Sequence, residues 1–113
     1  MSAITTHVLD TSLGKPAAGV AVTLEKQEGG VWKTLASGTT NADGRAAELL
    51  PANAALAAGT YRLHFDTAAY FRARGVESFY PHVEIVFIVK DAAQHYHVPL
   101  LLSPFGYSTY RGS

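Results

Sequence analysis

Apolar and polar positions alternate with a period of two along most of this chain, the pattern of strands that bury one face. Ile4, Thr6 and Val8 alternate with Thr5, His7 and Leu9, and Val20, Val22 and Leu24 alternate with Ala21, Thr23 and Glu25. Val31 to Ser37 reads as a third strand, joined to the second across Glu28-Gly29-Gly30, a glycine-rich connection of hairpin type. Thr40-Asn41-Ala42-Asp43-Gly44 is a turn leading into a fourth strand over Arg45 to Leu49. Tyr61, Leu63 and Phe65 alternate with Arg62, His64 and Asp66 in a fifth. It follows an alanine-rich stretch, Pro51 to Gly59, whose pattern allows either a loop or one helical turn.

Thr67 to Gly75 is the one convincing helix, with Thr67 placed to cap it and Gly75 to stop it. His82 to Lys90 and Gln94 to Leu102 make two long strands around a tight connection, and Gly106 to Gly112 makes the last. Eight short strands at regular spacing, with one short helix between the fifth and sixth, predict an all-β, two-sheet β-sandwich. The chain carries no internal repeat, low-complexity tail or linker, so residues 1–113 read as a single domain.

Composition narrows the function. The 113 residues are 48% hydrophobic with nine basic and nine acidic side chains. That balance is globular, and a domain of this size buries roughly 65% of the surface its unfolded chain exposes. Zero net charge with scattered lysines and arginines argues against nucleic acid, which needs a concentrated basic face. It also does little to discourage self-association. The chain has no cysteine, so neither a disulfide framework nor a thiolate nucleophile is available. The runs Ile85 to Val89 and Val98 to Leu102 fall far short of the roughly 18 to 20 apolar residues that span a bilayer. No secretory signal or peroxisomal address is visible, and the expected location is the cytoplasm.

Candidate chemistry is concentrated in histidines. His95 and His97 are two apart in a strand and therefore share a face, while Tyr96, Val98, Leu100 and Leu102 supply a separate apolar face sufficient for the core. His7 sits on the Thr5 and Leu9 face of the first strand. Alone, each would read as a hydrogen-bonded structural residue. A His-x-His pair with His7, His64 and His82 also offers a three-histidine zinc arrangement, but strand His-x-His pairs without a nearby cysteine or carboxylate in ligand spacing are common by chance. Arg45, after a turn, is by itself a solvated charge or an anion clamp. No nucleophile elbow, phosphate-binding glycine loop or closely spaced carboxylate pair is present.

The two ends of the chain and two segments between them resemble a known family. Tyr110-Arg111-Gly112-Ser113, preceded by His97-Val98-Pro99-Leu100-Leu101 and Gly106-Tyr107-Ser108-Thr109, resembles the signature of the 5-hydroxyisourate hydrolase branch of the transthyretin family. His7-Val8-Leu9-Asp10 with Gly14-Lys15-Pro16-Ala17 matches the family's other end, and Asp43-Gly44-Arg45 and Glu77-Ser78-Phe79-Tyr80-Pro81 match between them. The match spans nearly the whole chain in the right order.

The resemblance implies a transthyretin-like (prealbumin-like) sandwich and a homotetramer, a dimer of dimers with sites in a channel between dimers. It implies hydrolysis of 5-hydroxyisourate, a purine-derived small molecule, without metal or other cofactor. His7, Arg45 and His97 would be catalytic, with His7, Arg45, Tyr110 and Ser113 contacting substrate. Whether His95 contributes stays open, as does which histidine is the base. The fold also hosts transthyretin itself, a carrier of hydrophobic hormone, so the alternative is a non-enzymatic small-molecule carrier.

Overall fold

The computed structural model describes residues 3–46, 49–50 and 56–113, arranged as two four-stranded sheets packed face to face. The elements are β1 (Ile4–Asp10), β2 (Lys15–Pro16), β3 (Ala21–Glu28), β4 (Val31–Thr39), β5 (Gly59–Phe65), α1 (Thr67–Ala73), β6 (Val83–Val89), β7 (Tyr96–Ser103) and β8 (Gly106–Thr109). One sheet has the order β2-β1-β7-β8 and the other β4-β3-β5-β6. The helix lies between β5 and β6, as the alternation pattern predicts.

The alternating residues do what their period requires. Ile4, Val8 and Leu100 from the first sheet meet Leu24, Leu63 and Phe65 from the second, all 0% exposed. Thr6 joins this buried layer because its hydroxyl donates to the Val98 carbonyl at 2.6 Å, which removes the cost of an unpaired polar group. The odd-numbered residues Thr5, His7 and Leu9 take the outer face, half-buried.

The β1–β7 pair is parallel, with Thr5 opposite His97 and His7 opposite Pro99; every other strand pairing among the described residues is antiparallel. Parallel neighbours need a long connection, and here it contains the whole second sheet together with β2 and α1. The helix is fixed to the same β1 strand at its far end. Asp10, fully buried, accepts hydrogen bonds from the Tyr70 hydroxyl at 2.7 Å and from Arg74 at 2.9 Å. Its carboxyl sits below the usual range: burial pushes upward, but hydrogen bonds from Ser12, Tyr70 and the Leu13 and Ser12 backbone outweigh it. Burial and the Asp10 hydrogen bond push the Tyr70 phenol up to about 12.

Three details depart from the sequence reading. The strand expected over Arg45 to Leu49 is reduced, among the described residues, to an isolated antiparallel bridge between Arg45 and His7. Its place in the count of eight is taken by β2, a two-residue strand that pairs with Leu9 and Asp10. The helix cap is Asp66, whose carboxylate accepts from the Ala69 amide at 3.3 Å, and not Thr67, which is buried in the first turn. Most of the alanine-rich stretch lies outside the described residues. Among those described, no helix is long and apolar enough to cross a membrane.

Candidate functional site

The outer face of the β1–β7 pair gathers the imidazoles. Because parallel partners point their side chains to the same side, the pairing of Thr5 with His97 puts Thr5 and His7 of β1 beside His95 and His97. Thr5 Oγ1 lies 2.8 Å from Nδ1 of His97 and 3.0 Å from Nε2 of His95. With Nδ1 so engaged, Nε2 is the ring nitrogen of His97 left for a ligand.

Arg45 reaches this face from a loop. Asn41 organises it: its side-chain oxygen accepts from the amides of Asp43 at 2.9 Å and Arg45 at 3.1 Å. Gly44 then turns with φ +77° and presents its carbonyl to the Val8 amide at 2.7 Å. A side chain at Gly44 is excluded, since a Cβ would stand 2.4 Å from the Val8 carbonyl oxygen and 3.2 Å from the His7 ring. The loop thus lies along β1 just where β2 ends, and Arg45 bridges to His7.

The C-terminal segment closes the other side. Continuing the β8 register beyond Thr109, Gly112 bridges His97 and donates its amide to the His97 carbonyl at 2.9 Å. Ser113 is therefore one residue from the imidazole cluster.

The electrostatics follow from this crowding. Burial first, then the positive charge of Arg45 and the neighbouring His95 and His7, hold the His97 imidazole below its ordinary pKa, against a hydrogen bond to the Thr5 backbone that works upward. A neutral imidazole beside a guanidinium is the arrangement a general base and an oxyanion clamp require.

Of the residues singled out from sequence, His7, Arg45, His95 and His97 are brought together within one chain, and Ser113 lies next to them. Tyr110 is 59% exposed and borders a cleft of about 230 Å³ with Val86, Ile88 and Thr109; no described contact sets it against the imidazoles. Thr5, Asn41, Gly44 and Gly112 join the site beyond the residues expected from sequence. Thr5 shares the His7 face by alternation, and Asn41 and Gly44 lie in the turn signal before Arg45.

The histidines of the three-histidine zinc alternative divide between the sheets. His64 and His82 lie on the second sheet with their rings 4.8 Å apart, beside Glu84, which is 3.2 Å from His64 Nδ1. Arg62 stands 3.6 Å from the same carboxylate and pairs with Glu25 at 2.9 Å. His7, His95 and His97 belong to the first sheet.

Two four-stranded sheets in the orders β2-β1-β7-β8 and β4-β3-β5-β6, with one short helix after β5, make this a transthyretin-like sandwich. Comparison with known proteins makes this specific: residues 4–112 match the HIUase/Transthyretin family, and the chain belongs to that family. It is 50% identical to the 5-hydroxyisourate hydrolase of Mus musculus, over 99% of this chain and 96% of that protein. Among solved structures it is similar to Klebsiella pneumoniae 5-hydroxyisourate hydrolase, with TM-score 0.86 and 46% identity over 99% of this chain and 100% of the other. Sea bream transthyretin in complex with thyroxine superposes with TM-score 0.91 at 35% identity, covering 97% of this chain and 94% of that one.

Proposed function

We propose that the protein is a hydrolase that opens the six-membered ring of 5-hydroxyisourate, giving 2-oxo-4-hydroxy-4-carboxy-5-ureidoimidazoline. The observation that carries this reading is the convergence of His7, Arg45 and His97 on one face, with the His97 imidazole held below its ordinary pKa by burial and by Arg45. The names of the mouse and Klebsiella relatives support the same chemistry.

Ring opening needs a base for the attacking water, a partner for the developing oxyanion and an acid for the departing ring nitrogen. Imidazole as a side-chain type suits the first and last, since it can both take and give a proton, and His7 and His97 share that proton work around one water. Arg45 orients the substrate and stabilises negative charge on the carbonyl oxygen through its fork of donors. Ser113 and Tyr110 complete the substrate contacts.

A homotetramer belongs to this reading. β6 and β8 are edge strands, β6 exposes Val86 (57%) and Ile88 (61%), and Tyr110 stands free in the single chain. Covered edges and a pocket shared between subunits account for all three.

The carrier alternative draws on the fold shared with sea bream transthyretin. A polar face of three imidazoles and a guanidinium suits a polar, reacting substrate better than a hydrophobic hormone. A spectrophotometric assay with freshly generated 5-hydroxyisourate separates the two. General acid–base catalysis contributes about a hundred- to ten-thousandfold, so His7→Ala and His97→Ala should each lose turnover on that scale with unchanged thermal melts. Folded variants that hydrolyse at the parental rate would refute the assignment.

A further inference from the structure

Each imidazole has two nitrogens, and which one carries the hydrogen decides what it can do. Thr5 Oγ1 contacts His97 Nδ1 at 2.8 Å and His95 Nε2 at 3.0 Å. A hydroxyl has a single hydrogen, so it can donate to at most one of the two rings. Two arrangements place that hydrogen between the rings. Either His97 Nδ1–H donates to Thr5 and Thr5 donates to His95 Nε2, or both bonds run the opposite way. The first leaves His97 with a lone pair on Nε2; the second leaves it with Nε2–H and no basic nitrogen.

The first arrangement fits the surroundings. Thr5 Oγ1 meets the ring at Nδ1, and only a proton on that nitrogen leaves Nε2 bare to accept from the water that the hydrolase reading requires. We propose that Thr5 is the positioning residue of the site: its hydroxyl fixes His97 as the Nδ1–H tautomer, with Nε2 bare toward the substrate, and links it to His95 as a second proton acceptor. This deepens the hydrolase reading and rests on it.

The link allows a balanced transfer. As water attacks, its O–H bond breaks and the proton goes to His97 Nε2. The His97 Nδ1 proton passes to Thr5 Oγ1, and the Thr5 hydroxyl proton passes to His95 Nε2. His97 is now neutral with Nε2–H, able to protonate the departing ring nitrogen. The same relay run backwards, from His95 through Thr5 to His97 Nδ1, restores the resting state. His97 thereby serves as base and then acid, and His95 carries the charge in between.

Thr5→Val keeps the shape and branching and removes only the hydroxyl, while Thr5→Ser restores it. With histidine labelled in ¹⁵N, the nitrogen shifts report each tautomer directly, without reference to activity. The parent and Thr5→Ser should show His97 protonated on Nδ1, and Thr5→Val should lose that preference. In kinetics, Thr5→Val should lower kcat about tenfold or more with KM within about twofold, and Thr5→Ser should recover most of it. His97 protonated on Nε2 in the parent, or a Thr5→Val variant with unchanged tautomer and kcat, would overturn the proposal. Failure of the hydrolase reading is separately visible, as a His97→Ala protein with parental turnover.

Discussion

Gly112 lies against the imidazole of His97 so closely that a Cβ on it would stand 2.6 Å from Cδ2 and 3.3 Å from Cγ of the ring. Such a contact is well inside van der Waals distance, so an alanine there forces either the ring or the C-terminal segment aside. Gly112→Ala should therefore act on catalysis. Misplacing a reacting group by about 1 Å costs up to about a hundredfold, and a kcat loss of at least about tenfold is expected. The segment is otherwise exposed, so the melting temperature should move by no more than about 2 °C. Parental kcat in the folded variant would show that Gly112 does not position His97.

The lowered pKa of His97 sets the acid side of the activity profile. Because the folded-state value lies below the ordinary 6.5, the neutral ring persists to lower pH, and the acid limb of kcat/KM should have its midpoint below 6.5. The sign for stability is the same: this group's contribution is present above the unfolded value and is lost as pH falls. Arg45→Gln removes a positive neighbour and should move the limb upward. A parental midpoint at or above 6.5, or no movement in Arg45→Gln, would contradict this account.

For Arg45→Lys, charge survives but the planar fork does not. Turnover should fall by about tenfold or more, measured at saturating substrate with the fold checked by circular dichroism. Near-parental kinetics would mean that Arg45 acts only as a point charge.

At the opposite end of β1, Asp10→Ala would leave the Tyr70 hydroxyl and the Arg74 guanidinium without their shared carboxylate. Removing one partner of a buried, hydrogen-bonded charge pair costs about 3 kcal/mol, less here because Arg74 is partly exposed. A loss of about 2 kcal/mol in urea unfolding is expected. A change under about 0.5 kcal/mol would show that other contacts hold α1 to the sheet.

Period-two alternation is enough to place β1, β3, β5 and β7, because each buries one face against the other sheet. It also sorts His7, His95 and His97 onto the faces opposite the core. Arg45 to Leu49 misled because apolar residues after a turn look like a strand, whereas the Gly44 carbonyl and Arg45 are taken up by the edge of β1. β2 was invisible since two residues cannot show a period. Thr67 and Asp66 both suit a cap, and only the hydrogen bond to Ala69 distinguishes them. Convergence of Arg45 with the histidines, and the closeness of Gly112, depend on long-range pairing that no local pattern encodes.

That pairing has a bearing on how the protein acquires activity. Thr5 and His97 are 92 residues apart, and their strands run side by side. Such distant closure is slow, since loop entropy is lost before any contact compensates. A chain whose second sheet has already formed would bury aromatic surface yet turn over nothing until its two extremities zip together. Regain of catalysis after dilution from denaturant would then lag behind fluorescence, timing the final knitting of the polypeptide.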